Sequence, residues 1–159
     1  MLEFCGLEKC LLDASGRIKF GSRILADFQK FDATEVVLHC LPEGALAIYP
    51  VQNWQVMKAE EEAKQAAVQS VLRRRQMRMM GAMTRKEKLS NQGRVTLPQM
   101  FREMCSLLSG EDVVVVGCEM GVELWNVEKW NAELALMQGH ALEKGQNEMS
   151  ADLEQLEEM

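Results

Sequence analysis

The sequence predicts an α+β fold built from two similar halves that share one core. Three observations carry that prediction. The first is a turn that occurs twice. Asp13-Ala14-Ser15-Gly16-Arg17, followed by Ile18-Lys19-Phe20, returns as Ser90-Asn91-Gln92-Gly93-Arg94, followed by Val95-Thr96-Leu97. In each copy a polar stretch ends in Gly-Arg and leads into an alternating strand. Glycine reaches backbone angles that other residues resist, so each copy reads as a tight turn between strands. The second observation is an echo of strands. At an offset of 77 residues Glu35–Cys40 falls on Asp112–Gly117, and at an offset of 76 Leu46–Tyr49 falls on Val122–Trp125, with Trp54 on Trp130. The third is size. A chain of 159 residues suits one domain or two half-domains around one core, and the period is too long for a solenoid.

In chain order, Phe4 to Leu12 reads as a strand entering the first turn, and Ile18 to Phe20 as its return. Ser22 can cap a short helix whose apolar side is Ile24 or Leu25, Phe28 and Phe31. Glu35–Cys40 is β-branched and strand-like. Leu41-Pro42-Glu43-Gly44 is a turn, Ala45–Tyr49 the next strand, and Pro50 suits the first turn of a helix. From Val51 to Met80 there is no Gly or Pro, which predicts one long helix with Trp54 in the core. Acids at Glu60–Glu62 and bases at Arg73–Arg75 and Arg78 would then complement that helix's dipole. Gly81 ends the helix, and Met83–Leu89 opens the second half. Pro98 begins a short helix with Phe101, Met104 or Cys105, and Leu108. Val113–Val116 is the most hydrophobic strand and is expected at the sheet centre, paired with Val122–Trp125. Asn126 caps a last helix carrying Trp130, Leu134 and Met137, and Ser150–Met159 adds at most a turn or two. The resulting division is a first half at 1–80 with its connecting helix, a second half at 81–138, and an acidic tail at 139–159.

Charge and composition limit the function. No apolar run approaches the roughly 18 residues of a membrane helix, and the N-terminus lacks a basic, apolar leader, so a cytoplasmic location is expected. The five cysteines are scattered without a C-x-x-C pair and read as reduced, mostly buried small hydrophobes. Only His39 beside Cys40 resembles a metal ligand set, and it lies within a strand, so no metal or other cofactor is expected. A cysteine nucleophile would need a positioned base, and two histidines without a surrounding motif argue against an enzyme. The net charge of −6 hides a division. Residues 139–159 hold six acids against Lys144, a net −5, which leaves −1 on the other 138 residues. A nearly neutral body leaves room for a locally basic face.

These motifs together resemble the MraZ family, bacterial regulators made of two AbrB-like halves. The family pattern Phe-x-Gly, then Asp-x-x-x-Arg, is matched by Phe4, Gly6, Asp13 and Arg17. Tyr49, Pro50 and Trp54 match Tyr-Pro-x-x-x-Trp, and Arg74, Arg75 and Arg78 match Arg-Arg-x-x-Arg. Gly93 and Arg94 give the second turn, followed by Pro98, Phe101 and Arg102, with Leu124-Trp125 and Trp130 beyond. The chain departs from the pattern at Ser90, which stands where the second motif has Asp, at Gly21 in place of Pro, and at Leu25, where the second half has Arg102.

The resemblance implies a double-split barrel of exchanged hairpins with helices outside. It also implies a ring-shaped homo-oligomer that binds double-stranded DNA at direct repeats upstream of a division and cell-wall gene cluster, in the cytoplasm at the nucleoid. Arg17 and Arg94 would read bases, oriented by Asp13 and Ser90 across Gly16 and Gly93. Lys19 and Arg23 would hold phosphates. Arg74, Arg75 and Arg78 would contact phosphate or a subunit interface. No membrane or small-molecule substrate is implied. The alternative is an oligomeric partner-binding or antitoxin-like protein of the same fold without DNA specificity.

Overall fold

The computed structural model describes residues 3–64 and 70–158. The first pass comprises β1 (Leu7–Leu11), β2 (Arg17–Lys19), α1 (Ser22–Gln29), β3 (Glu35–Cys40), β4 (Leu46–Pro50) and α2 (Val51–Lys64). After α3 (Val71–Ala82), the same order returns as β5 (Thr84–Lys88), β6 (Arg94–Thr96), α4 (Gln99–Met104), β7 (Asp112–Gly117), β8 (Val122–Asn126) and α5 (Val127–Glu157). The chain divides into two units, one ending at Asn126 and the other beginning at Val127.

All strands but two join one antiparallel sheet in the order β1-β7-β8-β4-β3-β5. The opening strand of each pass lies against the other pass. In β1–β7, Leu7 faces Val116 and Leu11 faces Asp112; in β5–β3, Lys88 faces Glu35 and Thr84 faces His39. The remaining strands, β2 and β6, pair only with each other.

Core positions fall in equivalent places in the two passes. Leu12 and Leu89, Ile18 and Val95, Phe20 and Leu97, Ile24 and Phe101, Val36 and Val113, and Leu38 and Val115 are all buried in one cluster. Alternation explains the strands: β2 and β6 each bury only the middle residue of three. A three-residue ribbon has little stability of its own. Burial of Ile18 and Val95 supplies about 1.5–3 kcal/mol each and fastens it to the core.

Several sequence expectations are corrected. The expected helix over 51–80 is two helices, with 65–69 outside the described residues. Ser70 is extended at φ −118° and ψ 162°, and its hydroxyl accepts the Arg73 N–H, a helix-starting cap. Arg73 and Arg74 therefore sit in the first turn of a new helix, at the positive end of its dipole. The dipole account of the arginine cluster fails. Pro50 is the last residue of β4, opposite Val36, and Asn126 the last of β8, and each stands immediately before a helix, α2 and α5. β7 is interior, but the two central strands are β8 and β4. Trp54 is half-buried; its ring stacks on Tyr49 at 5.8 Å and lies 5.3 Å from that of His39, with Lys58 Nζ 5.9 Å above it. Trp130 is buried, and α5 runs through Gly139 and Gly145 as one helix of 31 residues. Among the described residues the sheet is open at β1 and β5 and forms no closed barrel. The three-residue strands β2 and β6 pair only with each other, their first residues Arg17 and Arg94 bond back into their own turns, and they do not bridge the two edges.

Candidate nucleic-acid interface

The β2–β6 ribbon faces Ile18 and Val95 inward, so its neighbours face outward. Arg17 lies opposite Thr96 and Lys19 opposite Arg94, and all four are exposed. Three cations thus share one face of a two-stranded ribbon. Arg17 and Arg94 stand diagonally across it, each at the exit of its own turn.

In the first turn, Asp13 Oδ1 accepts three hydrogen bonds: from Ser15 N at 3.0 Å, Ser15 Oγ at 2.7 Å and Arg17 N at 2.9 Å. Arg17 Nε donates to Ser15 Oγ at 3.0 Å and lies 3.5 Å from Asp13 Oδ2. The Arg17 N–H, and after it the Ser15 hydroxyl, holds the Asp13 carboxyl below its ordinary value of 3.8. In the second turn, Ser90 Oγ accepts Arg94 N at 2.9 Å, and Arg94 Nη1 donates to Gln92 Oε1. Ser90 thus repeats the backbone bond made by Asp13, but offers Arg94 no charge.

Both turns need glycine. Gly16 has φ +80° and Gly93 φ +86°. Their carbonyls bind across the ribbon: Leu97 N donates to Gly16 O at 2.8 Å, and Phe20 N to Gly93 O at 2.9 Å. The side chains covering the turns are also exchanged. A Cβ on Gly16 would lie 3.0 Å from Arg102 Cζ, whereas one on Gly93 would lie 3.3 Å from Leu25 Cδ2. Helix α4 covers the first turn and α1 the second.

The other predicted cations lie elsewhere. Arg23 Nη2 donates to the Cys5 carbonyl at 3.1 Å, where Gly6 leaves room for the guanidinium. Arg74, Arg75 and Arg78 are exposed on α3, a helix without a buried residue. Arg102 fits the family pattern, which by itself implies no role for it. Nothing in linear spacing shows that it covers the turn of the other pass. Burial pushes the Cys10 and Cys118 thiols up to about 12, and Cys40 and Cys105 are buried. His39 Nδ1 is 2.9 Å from Thr84 Oγ1, and burial lowers its pKa. No group of three His, Cys, Asp or Glu among the described residues could hold a metal.

These features define a small two-pass α+β protein whose distinguishing surface is a cationic β-ribbon. Residues 80–151 match the family model of the MraZ protein, described as antitoxin-like. A relative named transcriptional regulator MraZ, from Carboxydothermus hydrogenoformans, is 32% identical over 129 residues, spanning 80% of this chain and 84% of its own. One of the same name from Deinococcus radiodurans is 31% identical and spans 70% of this chain and 75% of its own. Another, from Halothermothrix orenii, is 27% identical and spans 96% and 98%. The chain belongs to the MraZ family.

Proposed function

We propose that this chain is a transcriptional regulator that reads duplex DNA with the outer face of the β2–β6 ribbon. The observation that carries the reading is the alignment of Arg17, Lys19 and Arg94 on that face, above a buried Ile18–Val95 pair. A major groove admits a two-stranded ribbon, and a guanidinium can bond guanine O6 and N7 together for roughly 1–3 kcal/mol of discrimination. Arg17 and Arg94 read bases; Lys19 holds a phosphate and sets register. Arg23, tied to Cys5, contributes charge from the side.

One protomer offers few cations, so strong binding needs repetition. A ring-shaped homo-oligomer presenting the ribbon many times gains by effective concentration and suits direct repeats upstream of a division and cell-wall gene cluster. Exposed Leu7, Leu11, Leu72, Met77, Met79 and Leu108 support self-association. On this reading 1–80 and 81–138 are two AbrB-like halves that exchange their opening strands, 139–159 is a tail, and the protein works at the nucleoid in the cytoplasm. A second reading, a partner-binding or antitoxin-like role, is favoured by the uncharged Ser90 turn and by the exposed acidic end of α5.

The test is a titration of the full chain against the duplex upstream of its own gene and a scrambled duplex, at two salt concentrations. Wild type is expected to prefer its own duplex and to weaken steeply with salt. Arg17→Ala is expected to lower affinity for that duplex about 10–100-fold and remove the preference. Equal weak binding of both duplexes, unchanged by the substitution, refutes the proposal.

A further inference from the structure

We propose that Arg102 is a phosphate-contacting residue of the first turn, so that the two ends of the ribbon differ in kind: the Arg17 end carries two guanidinium groups, and the Arg94 end carries one with Lys19 opposite it. This inference rests on the DNA-reading function proposed above.

Its basis is the exchanged covering of the turns. Arg102 lies on α4, in the second pass, yet its guanidinium packs on Gly16 in the first. A Cβ there would lie 3.0 Å from Cζ, 3.1 Å from Nη2 and 3.2 Å from Nε. Arg102 Nε donates to Leu97 O at 3.0 Å, and Leu97 N donates to Gly16 O at 2.8 Å. One residue of chain therefore ties the guanidinium to the turn it covers. The fixed Nε leaves the two Nη groups, with four N–H donors. They have no hydrogen-bond or ion-pair partner among the described residues, and neither Nη is among the buried atoms left without one. A half-buried guanidinium held by one edge, with Nη groups that no described residue engages, beside the turn of a base-reading arginine, is arranged to grip a phosphate. At the equivalent place over Gly93 stands Leu25, with no charge to offer. The contrast repeats inside the turns, where Asp13 orients Arg17 but only Gln92 meets Arg94.

A phosphate contact and a base contact leave different signatures. Neutralising a phosphate contact weakens every duplex alike and reduces the slope of log affinity against log salt by about 0.9 per contact. Losing a base contact changes the ratio between duplexes. The experiment measures wild type, Arg17→Ala, Arg102→Leu, Arg102→Lys and Leu25→Arg on both duplexes across a salt series, with the thermal midpoint of each. Arg102→Leu reproduces the residue already tolerated over Gly93. It is expected to weaken both duplexes in parallel and to lower the salt slope by about one per engaged protomer. Arg102→Lys is expected to keep the slope, and Leu25→Arg to raise it. An unchanged slope in Arg102→Leu, whether or not its thermal midpoint falls, overturns the inference and leaves Arg102 a packing residue. If wild type itself shows no preference and Arg17→Ala no effect, the DNA-reading function fails as well. If those two behave as expected and Arg102→Leu does not, only the role of Arg102 fails.

Discussion

The two turns solve one backbone problem with different chemistry. Asp13 and Ser90 both accept the N–H of the arginine four residues on, at 2.9 Å in each case, so either side chain can shape the turn. Only Asp13 also sets a negative charge beside its guanidinium. Asp13→Ser is therefore expected to leave the fold intact while lowering preference for the protein's own duplex; a parallel loss of thermal stability and binding would count against that separation. The sign of the pH effect follows from the depressed Asp13 pKa. The carboxylate's contribution is complete above the ordinary carboxylate value and is lost as pH falls through the lower, folded one. An NMR titration of the Asp13 carboxyl is expected to show a midpoint below 3.8. The residues at this scale were legible from sequence because they lie within five positions of each other. Arg102 was not, because its partner glycine is 86 positions away.

At the scale of elements, short strands and their turns were readable because alternation and glycine placement are local signals. The helix break at Ser70 was missed because absence of Gly and Pro from 51–80 permits a helix without requiring one, and a capping serine can start another. That break inverts the electrostatics of the arginine cluster. Arg74 now stands within the first turn of α3, where a cation opposes the dipole. Arg74→Glu is expected to stabilise α3 by about 0.3–1 kcal/mol, read as a higher thermal midpoint. Should it also weaken DNA binding, the cluster touches phosphate; should it leave binding untouched but change the sedimenting mass, the cluster faces another subunit.

At the scale of the molecule, neither pass is a finished object. β1 lies against β7, β5 against β3, and each glycine carbonyl of the ribbon is bonded from the opposite pass. The repeat itself showed the duplication, and only the family resemblance implied the exchange, since periodicity says which segments are equivalent and not which of them touch. Fragments 1–80 and 81–159 are each expected to remain unfolded alone and to recover the far-ultraviolet circular dichroism of the intact chain when mixed. A cooperatively melting single fragment would contradict the exchange. The same pairing has a consequence for birth on the ribosome. Leu11 faces Asp112, so about 100 residues must be made after β1 before its partner exists. At about 5–20 residues per second, β1 waits about 5–20 s with an open edge that carries exposed Leu7 and Leu11. During that interval another nascent chain on the same messenger offers the same strands, so translation itself sets the local concentration at which copies of this protein first meet.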